Sequence, residues 1–241
     1  MLVQACLNGA RPADFHPRLP LTAAAMAEDA ARCVAAGAAE LHLHPRDADG
    51  RESLGAVADT VRAVRAACPG TLIGVSTGAW IEGDPGRTRR AIESWSALPD
   101  HASVNLSEDD APAVMEALAR RGVGIEAGLA TAADAERLAG LAGHGGVLRV
   151  LIEIEQQNLA AAFAAADEIA RILDRHGVNK PILLHGLDAM MWPLVGRALE
   201  YRWSTRVGLE DGRQLPDGSI AADNTALVRQ AAAMRNGAGT G

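Results

Sequence analysis

The sequence predicts an α/β protein that folds as a single (β/α)8 barrel, or TIM barrel, and three observations lead to this prediction. Short apolar runs alternate with alanine-rich helical stretches along all 241 residues. Such alternation is typical of a parallel sheet whose strands are joined by helical crossovers. Eight strand–helix repeats can be counted, and eight is the number at which such a sheet closes into a barrel. No element is left over for a second domain, so residues 1–241 are predicted to form one domain.

The strands are predicted from short apolar runs bounded by glycine, proline and polar turn residues. In order, they span residues 2–8, 39–44, 71–76, 102–106, 123–127, 147–154, 181–185 and 203–209. An open, doubly wound sheet is the alternative arrangement of the same repeats. We disfavour it because no GxGxxG motif follows the first strand.

The helices are predicted from apolar residues at helical spacing, together with start and stop signals. Thr22 is the predicted N-cap of the first helix and Gly37 its stop, and Pro112 falls in a first turn, where proline is tolerated. The predicted helices span residues 22–36, 54–67, 85–98, 110–121, 131–141, 159–176, 188–199 and 223–235. Residues 237–241 are predicted to be a flexible, frayed tail.

Composition excludes several classes of protein. The formal net charge is −7 and no basic cluster is present, which argues against nucleic-acid binding. The three cysteines are odd in number and form no CxxC motif, as expected for reduced thiols in a cytoplasmic protein. We find no signal-peptide pattern and no apolar run near the roughly 20 residues of a membrane span. The expected protein is therefore cytoplasmic and binds neither nucleic acid nor a membrane.

Residues 41–46, LHLHPR, end the second predicted strand and carry half of a candidate metal site. Residues two apart in a strand share a face, so His42 and His44 point the same way. Pro45 ends the strand because it has no N–H to donate. The alternative interpretation is a pair of partly buried histidines satisfied by ordinary neighbours.

Residues 206–211, RVGLED, carry the other half. Arg206 and Glu210 share a face of the eighth strand, and strands eight and two both flank strand one in a closed barrel. Their axes then lie roughly 10 Å apart, so side chains from both can reach one ion. Two histidines and one carboxylate leave coordination positions open, as in catalytic zinc sites. The same set suits non-haem iron, so Fe²⁺ or another divalent ion stays possible.

Other polar residues cluster at the carboxyl ends of the strands, where barrels of this kind carry their chemistry. Arg206 can offer a planar positive fork to a substrate carboxylate. Asp211 is a candidate general base for a proton alpha to a carbonyl, with a plain turn as the alternative. Further candidates at these strand ends are Asn8, Ser76, Thr77, Asn105, Glu126, Glu153, Glu155 and His185. The alternatives are an ordinary turn for residues 76–78, a buried and hydrogen-bonded position in the barrel wall for His185, and a solvated loop for Glu153 and Glu155.

Four stretches of the chain resemble the β-keto acid cleavage enzymes, the family of 3-keto-5-aminohexanoate cleavage enzyme. They are 37–51 (GAAELHLHPRDADGR), 76–78 (STG), 206–211 (RVGLED) and 224–228 (NTALV). The resemblance runs across nearly the whole chain. It implies a zinc-dependent (β/α)8 barrel that condenses a β-keto acid with acetyl-CoA by a retro-Claisen route, giving acetoacetate and a new acyl-CoA.

The resemblance also implies roles for individual residues. The implied zinc ligands are His42, His44 and Glu210. The implied catalytic residues are Asp211, Arg206 and Ser76. The implied pocket residues are Asn105 and Glu126, to which we add Asn8, Thr77 and His185 from the strand ends. Family members commonly form dimers or tetramers, so we expect a homodimer or homotetramer.

The chemistry agrees with this assignment. Cleaving the bond between a ketone and a carboxymethyl group needs an electron sink at the ketone oxygen, which a metal ion supplies as a Lewis acid. The other common sink is a lysine Schiff base. The single lysine, Lys180, precedes the seventh strand and is expected at the opposite end of the barrel.

The chain also departs from the resembled family. Connection 106–110 is short, segment 153–158 reads EIEQQN where a glycine-rich loop is usual, and Arg11 stands near a family glutamate. Two alternative functions therefore stay open. One is a CoA-independent, metal-dependent lyase or hydrolase acting on a small keto acid or lactone. The other is a non-catalytic barrel that binds a carboxylate ligand.

Overall fold

The computed structural model describes residues 1–238 and shows a closed barrel of eight parallel strands. The strands are β1 (Val3–Cys6), β2 (Glu40–Leu43), β3 (Leu72–Ser76), β4 (His101–Asn105), β5 (Gly124–Leu129), β6 (Arg149–Ile154), β7 (Ile182–Gly186) and β8 (Ser204–Val207). They pair in chain order, and β8 closes onto β1. The prediction of a (β/α)8 barrel is confirmed.

Helices follow every strand on the outside of the barrel. They are α1 (Ala23–Ala35), α2 (Val57–Ala67), α3 (Ala79–Glu82), α4 (Pro85–Ser94), α5 (Ala111–Arg120), α6 (Ala132–Gly140), α7 (Leu159–Arg175), α8 (Met191–Glu200) and α9 (Asn224–Ala238). Short 3-10 helices span Leu54–Ala56, His144–Gly146 and Asp188–Met190. Within the described range, no helix is both long and apolar enough to cross a membrane.

The observed elements differ from the predicted ones mainly at their ends. The helix predicted over 85–98 ends at Ser94, because Trp95 leaves helical geometry and its buried ring donates to the Leu54 carbonyl. Helix α3 was not predicted. Helix α9 continues through Gly237, where the tail was predicted to begin, and residues 239–241 of that tail lie outside the described residues. Thr22 caps α1 as predicted, accepting from the Ala25 N–H at 3.2 Å.

The two faces of the sheet have different chemistry. Outward-facing residues such as Val3, Leu41 and Ile73 are fully buried in an aliphatic core formed with the helices. The inside of the barrel is polar, and its central ion pairs join Arg149 to Glu40 and Glu126, each at 2.5 Å. Because buried charges are unfavourable unless paired, this network requires all its members in place. The candidate site lies at the carboxyl ends of the strands.

Candidate metal centre

Three predicted metal ligands meet at the carboxyl end of the barrel. His42 and His44 come from β2 and its end, and Glu210 follows β8. The two imidazole Nε2 atoms lie 3.2 Å apart. Glu210 Oε1 lies 3.4 Å from His44 Nε2 and 3.9 Å from His42 Nε2. The three ligand atoms are all within 4.8 Å of one another, and residues 1–238 contain no other such group of His, Cys, Asp or Glu.

The local backbone explains how these ligands converge. The Asn8 amide donates to the His44 carbonyl at 2.8 Å and its oxygen accepts from the His44 N–H at 3.0 Å, so it holds the end of β2. Gly9 has a φ of +54°, and a Cβ there would lie 2.5 Å from Glu210 Cγ. At Gly208, a Cβ would lie 1.7 Å from the Cys6 carbonyl oxygen. Both glycines therefore allow close approach of the chain segments that carry the site.

Glu52, which the sequence analysis did not single out, supports His44. Its Oε2 lies 2.7 Å from His44 Nδ1, and the Trp80 indole N–H donates to the same oxygen at 3.3 Å. A carboxylate on Nδ1 fixes the imidazole so that Nε2 faces the other ligands, as in many metal sites. An isolated antiparallel bridge between Arg46 and Glu52 brings Glu52 back toward the end of β2. No sequence pattern predicts this loop closure.

The electrostatics of the three ligands suit a cation. Burial lowers the pKa of His42 to about 3, so this imidazole is neutral. Burial also opposes the charged form of His44, but Glu210 and Glu52 outweigh it and raise its pKa to about 9. Despite burial, Arg206 and the two histidines hold the pKa of Glu210 well below its usual range. Glu210 Oε2 is buried and has no hydrogen-bond partner among the described residues. Two imidazoles and a carboxylate with a spare oxygen fit zinc or iron.

Arg206 connects the candidate metal ligand Glu210 to two further carboxylates. Its Nη2 lies 2.7 Å from Glu210 Oε1, 3.2 Å from Glu153 Oε2 and 3.6 Å from Asp211 Oδ1. The side chain is buried, and its Nε has no partner among the described residues. The three carboxylates thus contact one nitrogen of the guanidinium. Because Nε is buried, Nη1 is the nitrogen left for a ligand.

Asp211 lies behind Arg206 and Glu210 rather than at the surface of the site. It is fully buried, and the Cys6 thiol donates to its Oδ2 at 2.9 Å. Its Oδ1 lies 3.1 Å from His185 Nδ1, and His185 Nε2 lies 3.0 Å from Glu153 Oε2. These are ion-pair contacts, since neither imidazole N–H points squarely at its oxygen. Burial and Arg206 lower the pKa of His185, but the two carboxylates outweigh them and raise it.

A cavity of about 380 Å³ opens above these groups. The predicted site residues that line it are His42, His44, Ser76, Asn105, Arg206 and Glu210. Other lining residues include Arg11, Trp80, Ser103, Glu153 and Asp188. Arg11 appeared in the sequence only as a departure from the family, and Glu153 only as a strand end. Trp80 and Asp188 were not predicted as site residues, because the sequence pattern does not reveal where the short helices after β3 and β7 place their side chains.

The remaining predicted site residues lie beneath or behind the cavity wall. Glu126 is fully buried in the barrel and pairs with Arg149, which despite burial lowers its pKa to about 2. The Thr77 hydroxyl donates to the Ser103 carbonyl at 2.7 Å. Asn8 and His185 contact lining residues and not the cavity itself, as described above. These residues can support the site, but their side chains do not line the cavity.

The comparisons with known proteins agree with this architecture. Residues 1–240 match the model of the β-keto acid cleavage enzyme family. Two ObcA structures, one with oxaloacetate and one with a C4-CoA adduct and oxalate, have TM-scores of 0.74 and 0.75. Each is 20% identical to this chain and aligns over 93% of it. The chain spans 65% of the length of these ObcA chains, somewhat under two thirds.

A more distant likeness involves type I 3-dehydroquinate dehydratase from Clostridium difficile. Its TM-score is 0.67 at 13% identity, and the alignment covers 98% of this chain and 91% of that one. Identities this low show a shared barrel fold alone. The family match, in contrast, spans nearly the whole sequence. The chain therefore belongs to the β-keto acid cleavage enzyme family.

Proposed function

We propose that this chain cleaves a small β-keto acid at a divalent metal ion, with zinc as the first choice, held by His42, His44 and Glu210. One observation carries the proposal: three ligand atoms converge within 4.8 Å of one another beside a buried arginine at a cavity. Family membership supports the reaction class. ObcA, which shares the fold, has been seen with oxaloacetate, itself a β-keto acid.

The ion and the nearby side chains have separate tasks. A zinc ion in this site would supply a Lewis acid for the ketone oxygen of the substrate. Arg206 lines the cavity and offers its free N–H groups to the substrate carboxylate. The Ser76 hydroxyl also lines the cavity and can donate to an oxyanion as it develops.

Proton transfer falls to the carboxylates around Arg206. Glu153 lines the cavity and its side chain is 30% exposed, whereas Asp211 is fully buried. Despite burial, His185 and Arg206 lower the pKa of Glu153 to about 2, so this carboxylate is ionised at neutral pH. We therefore assign proton exchange with the carbon between the two carbonyl groups to Glu153. Asp211, the base expected from the sequence, then acts through His185 as a positioning residue.

Acetyl-CoA is our proposed co-substrate. The carbon between the carbonyl groups loses its proton and bonds to the acetyl carbon, and the CoA thiolate leaves. The thiolate then adds to the original keto carbon, the old carbon–carbon bond breaks, and its electron pair returns to the carbon that takes the proton back. The products are acetoacetate and a new acyl-CoA. ObcA, seen with a C4-CoA adduct, supports this choice.

A CoA-independent lyase or hydrolase is the second candidate, and the charge of the cavity rim favours it. Coenzyme A carries several phosphate charges. The exposed or half-exposed acids on the β6 and β7 side of the rim include Glu153, Glu155 and Asp188. Like charges at this rim oppose an anionic cofactor on that side.

One experiment separates these functions. The purified protein is assayed for metal content and for turnover of a panel of β-keto acids, with and without acetyl-CoA. We expect about one zinc per chain and formation of acetoacetate only with acetyl-CoA. Turnover without the thioester would replace the first candidate with the second. Tight binding of a keto acid without turnover under any condition would favour a non-catalytic barrel. Size-exclusion chromatography of the same protein tests the separate prediction of a homodimer or homotetramer.

A further inference from the structure

Arg11, in the connection after β1, reaches the cavity from the side of Glu210. Its Nε donates to the Glu210 carbonyl at 2.9 Å, and its Nη2 donates to the Asp211 carbonyl at 3.2 Å. Phe15 covers one face of the guanidinium, with its ring centre 4.4 Å from Cζ. These contacts fix the group in position. Within the described chain no acceptor bonds to Nη1, so this nitrogen has two N–H groups to offer.

Arg206 provides a second fixed guanidinium in the same cavity. All ion pairs of Arg206 are made by its Nη2. The buried Nε has no partner, and no acceptor in residues 1–238 bonds to Nη1. Both arginines contact Glu210, Arg206 at the carboxylate and Arg11 at the main-chain carbonyl. The candidate metal ligand therefore lies between two cations that line one cavity.

We propose that the substrate is a β-keto dicarboxylic acid. Arg206 binds the carboxylate next to the reacting carbon, and Arg11 binds a second carboxylate at the far end of the acyl group. A guanidinium held in place by main-chain carbonyls recognises a carboxylate with little further loss of freedom. A cavity of about 380 Å³ has room for a six-carbon chain. The reaction in this inference rests on the proposed function, whereas the binding of two carboxylates does not.

Asp188 modulates this recognition. Its Oδ1 lies 2.8 Å from Arg11 Nη2, and its side chain is 54% exposed. An exposed ion pair of this kind is weak, and it uses the nitrogen that already bonds to the main chain. The Nη1 group stays open to the substrate, but the nearby negative charge opposes a second carboxylate. Removing the Asp188 charge should therefore strengthen the preference for a dicarboxylate.

The test compares 3-oxohexanedioate with 3-oxohexanoate, which differ by the terminal carboxylate. We expect the wild type to favour the diacid in kcat/KM, chiefly through KM. Arg11→Met should lower the ratio of the two kcat/KM values by roughly 10- to 100-fold, the range for a charge-assisted hydrogen bond. Arg11→Lys should recover part of the ratio, and Asp188→Asn should raise it. Taking a ratio removes any loss common to both substrates from disturbing the Glu210 main chain.

Arg213→Met is the matched control. Arg213 also lies over the Phe15 ring, at 5.4 Å, but it does not line the cavity, so the ratio should stay at the wild-type value. A wild type without preference for the diacid, or an unchanged ratio in Arg11→Met, would overturn the inference.

If neither keto acid turns over, the proposed function fails on its own. Calorimetry with hexanedioate and hexanoate on the metal-loaded protein then decides the inference. Tighter binding of the diacid that depends on Arg11 would support two-carboxylate recognition. Equal binding of the two acids would refute it.

Discussion

Removing the carboxylate of Glu52 tests whether His44 is held ready for a metal ion. The Glu52 side chain is nearly buried, and its Oε2 lies 2.7 Å from His44 Nδ1. Loss of such a supporting group typically weakens metal affinity by about 10- to 100-fold, or roughly 1.4 to 2.7 kcal/mol. Glu52→Gln keeps an acceptor and should fall near the lower figure. Glu52→Ala removes the acceptor and should fall near the upper one.

The pH of the measurement changes the expected size of this effect. Without metal the pKa of His44 is raised to about 9, mainly because the Glu210 and Glu52 carboxylates outweigh its burial. A metal ion must therefore displace a proton from His44 below pH 9. Removing Glu52 also lowers this pKa, which makes the proton easier to displace and offsets part of the lost affinity. The loss should accordingly be larger at pH 9.5 than at pH 7.

Competition with a chromophoric zinc chelator measures the affinity at both pH values. Glu108→Gln is the matched control: Glu108 is also a partly buried rim glutamate that accepts a main-chain N–H, from Ala79 at 2.9 Å, but it does not touch the ligands. Thermal unfolding of the metal-free variants checks that they fold. Wild-type zinc affinity in Glu52→Ala at pH 9.5 would refute the reasoning.

Three further predictions concern the metal, the proton-transfer system and the polar interior. His42→Ala should lose the metal by elemental analysis. Glu153→Gln should keep the metal and lose about 100-fold or more in kcat, and a near-wild-type rate would contradict the proton-transfer role given to Glu153. Chelation should lower the Tm of the wild type but not of His42→Ala, because only the folded wild type binds the ion. Glu126 has its pKa lowered from 4.5 to about 2, so its pairing with Arg149 stabilises the fold above pH 4.5 and is lost as pH falls toward 2. That pKa shift corresponds to about 3 kcal/mol. In urea unfolding, the difference in free energy of unfolding between the wild type and Glu126→Gln should therefore shrink as the pH falls from 4.5 toward 2. A difference that stays constant with pH would exclude the pairing.

The fold could be predicted from the sequence because its determinants are local. Apolar runs, caps and breaks recur with each strand and helix, and eight such repeats leave a closed barrel as the natural arrangement. The same regularity allowed the convergence of His42, His44 and Glu210 to be predicted. His42 and His44 share a face through strand alternation, and barrel closure places β8 and β2 on either side of β1.

Tertiary structure alone decided which other groups reach the cavity. Arg11 and Asp188 line the cavity, and Glu52 contacts the lining residue His44. All three lie in connections between a strand and the long helix that follows, whose paths depend on contacts between distant segments rather than on any periodic pattern. Depth within the barrel is likewise invisible in the sequence. Asp211 and Glu153 both read as acids near strand ends, yet one is fully buried and the other faces the cavity. Strand periodicity specifies which face of the sheet a side chain occupies, whereas the packing of neighbouring side chains decides whether it meets solvent, a ligand or another charge.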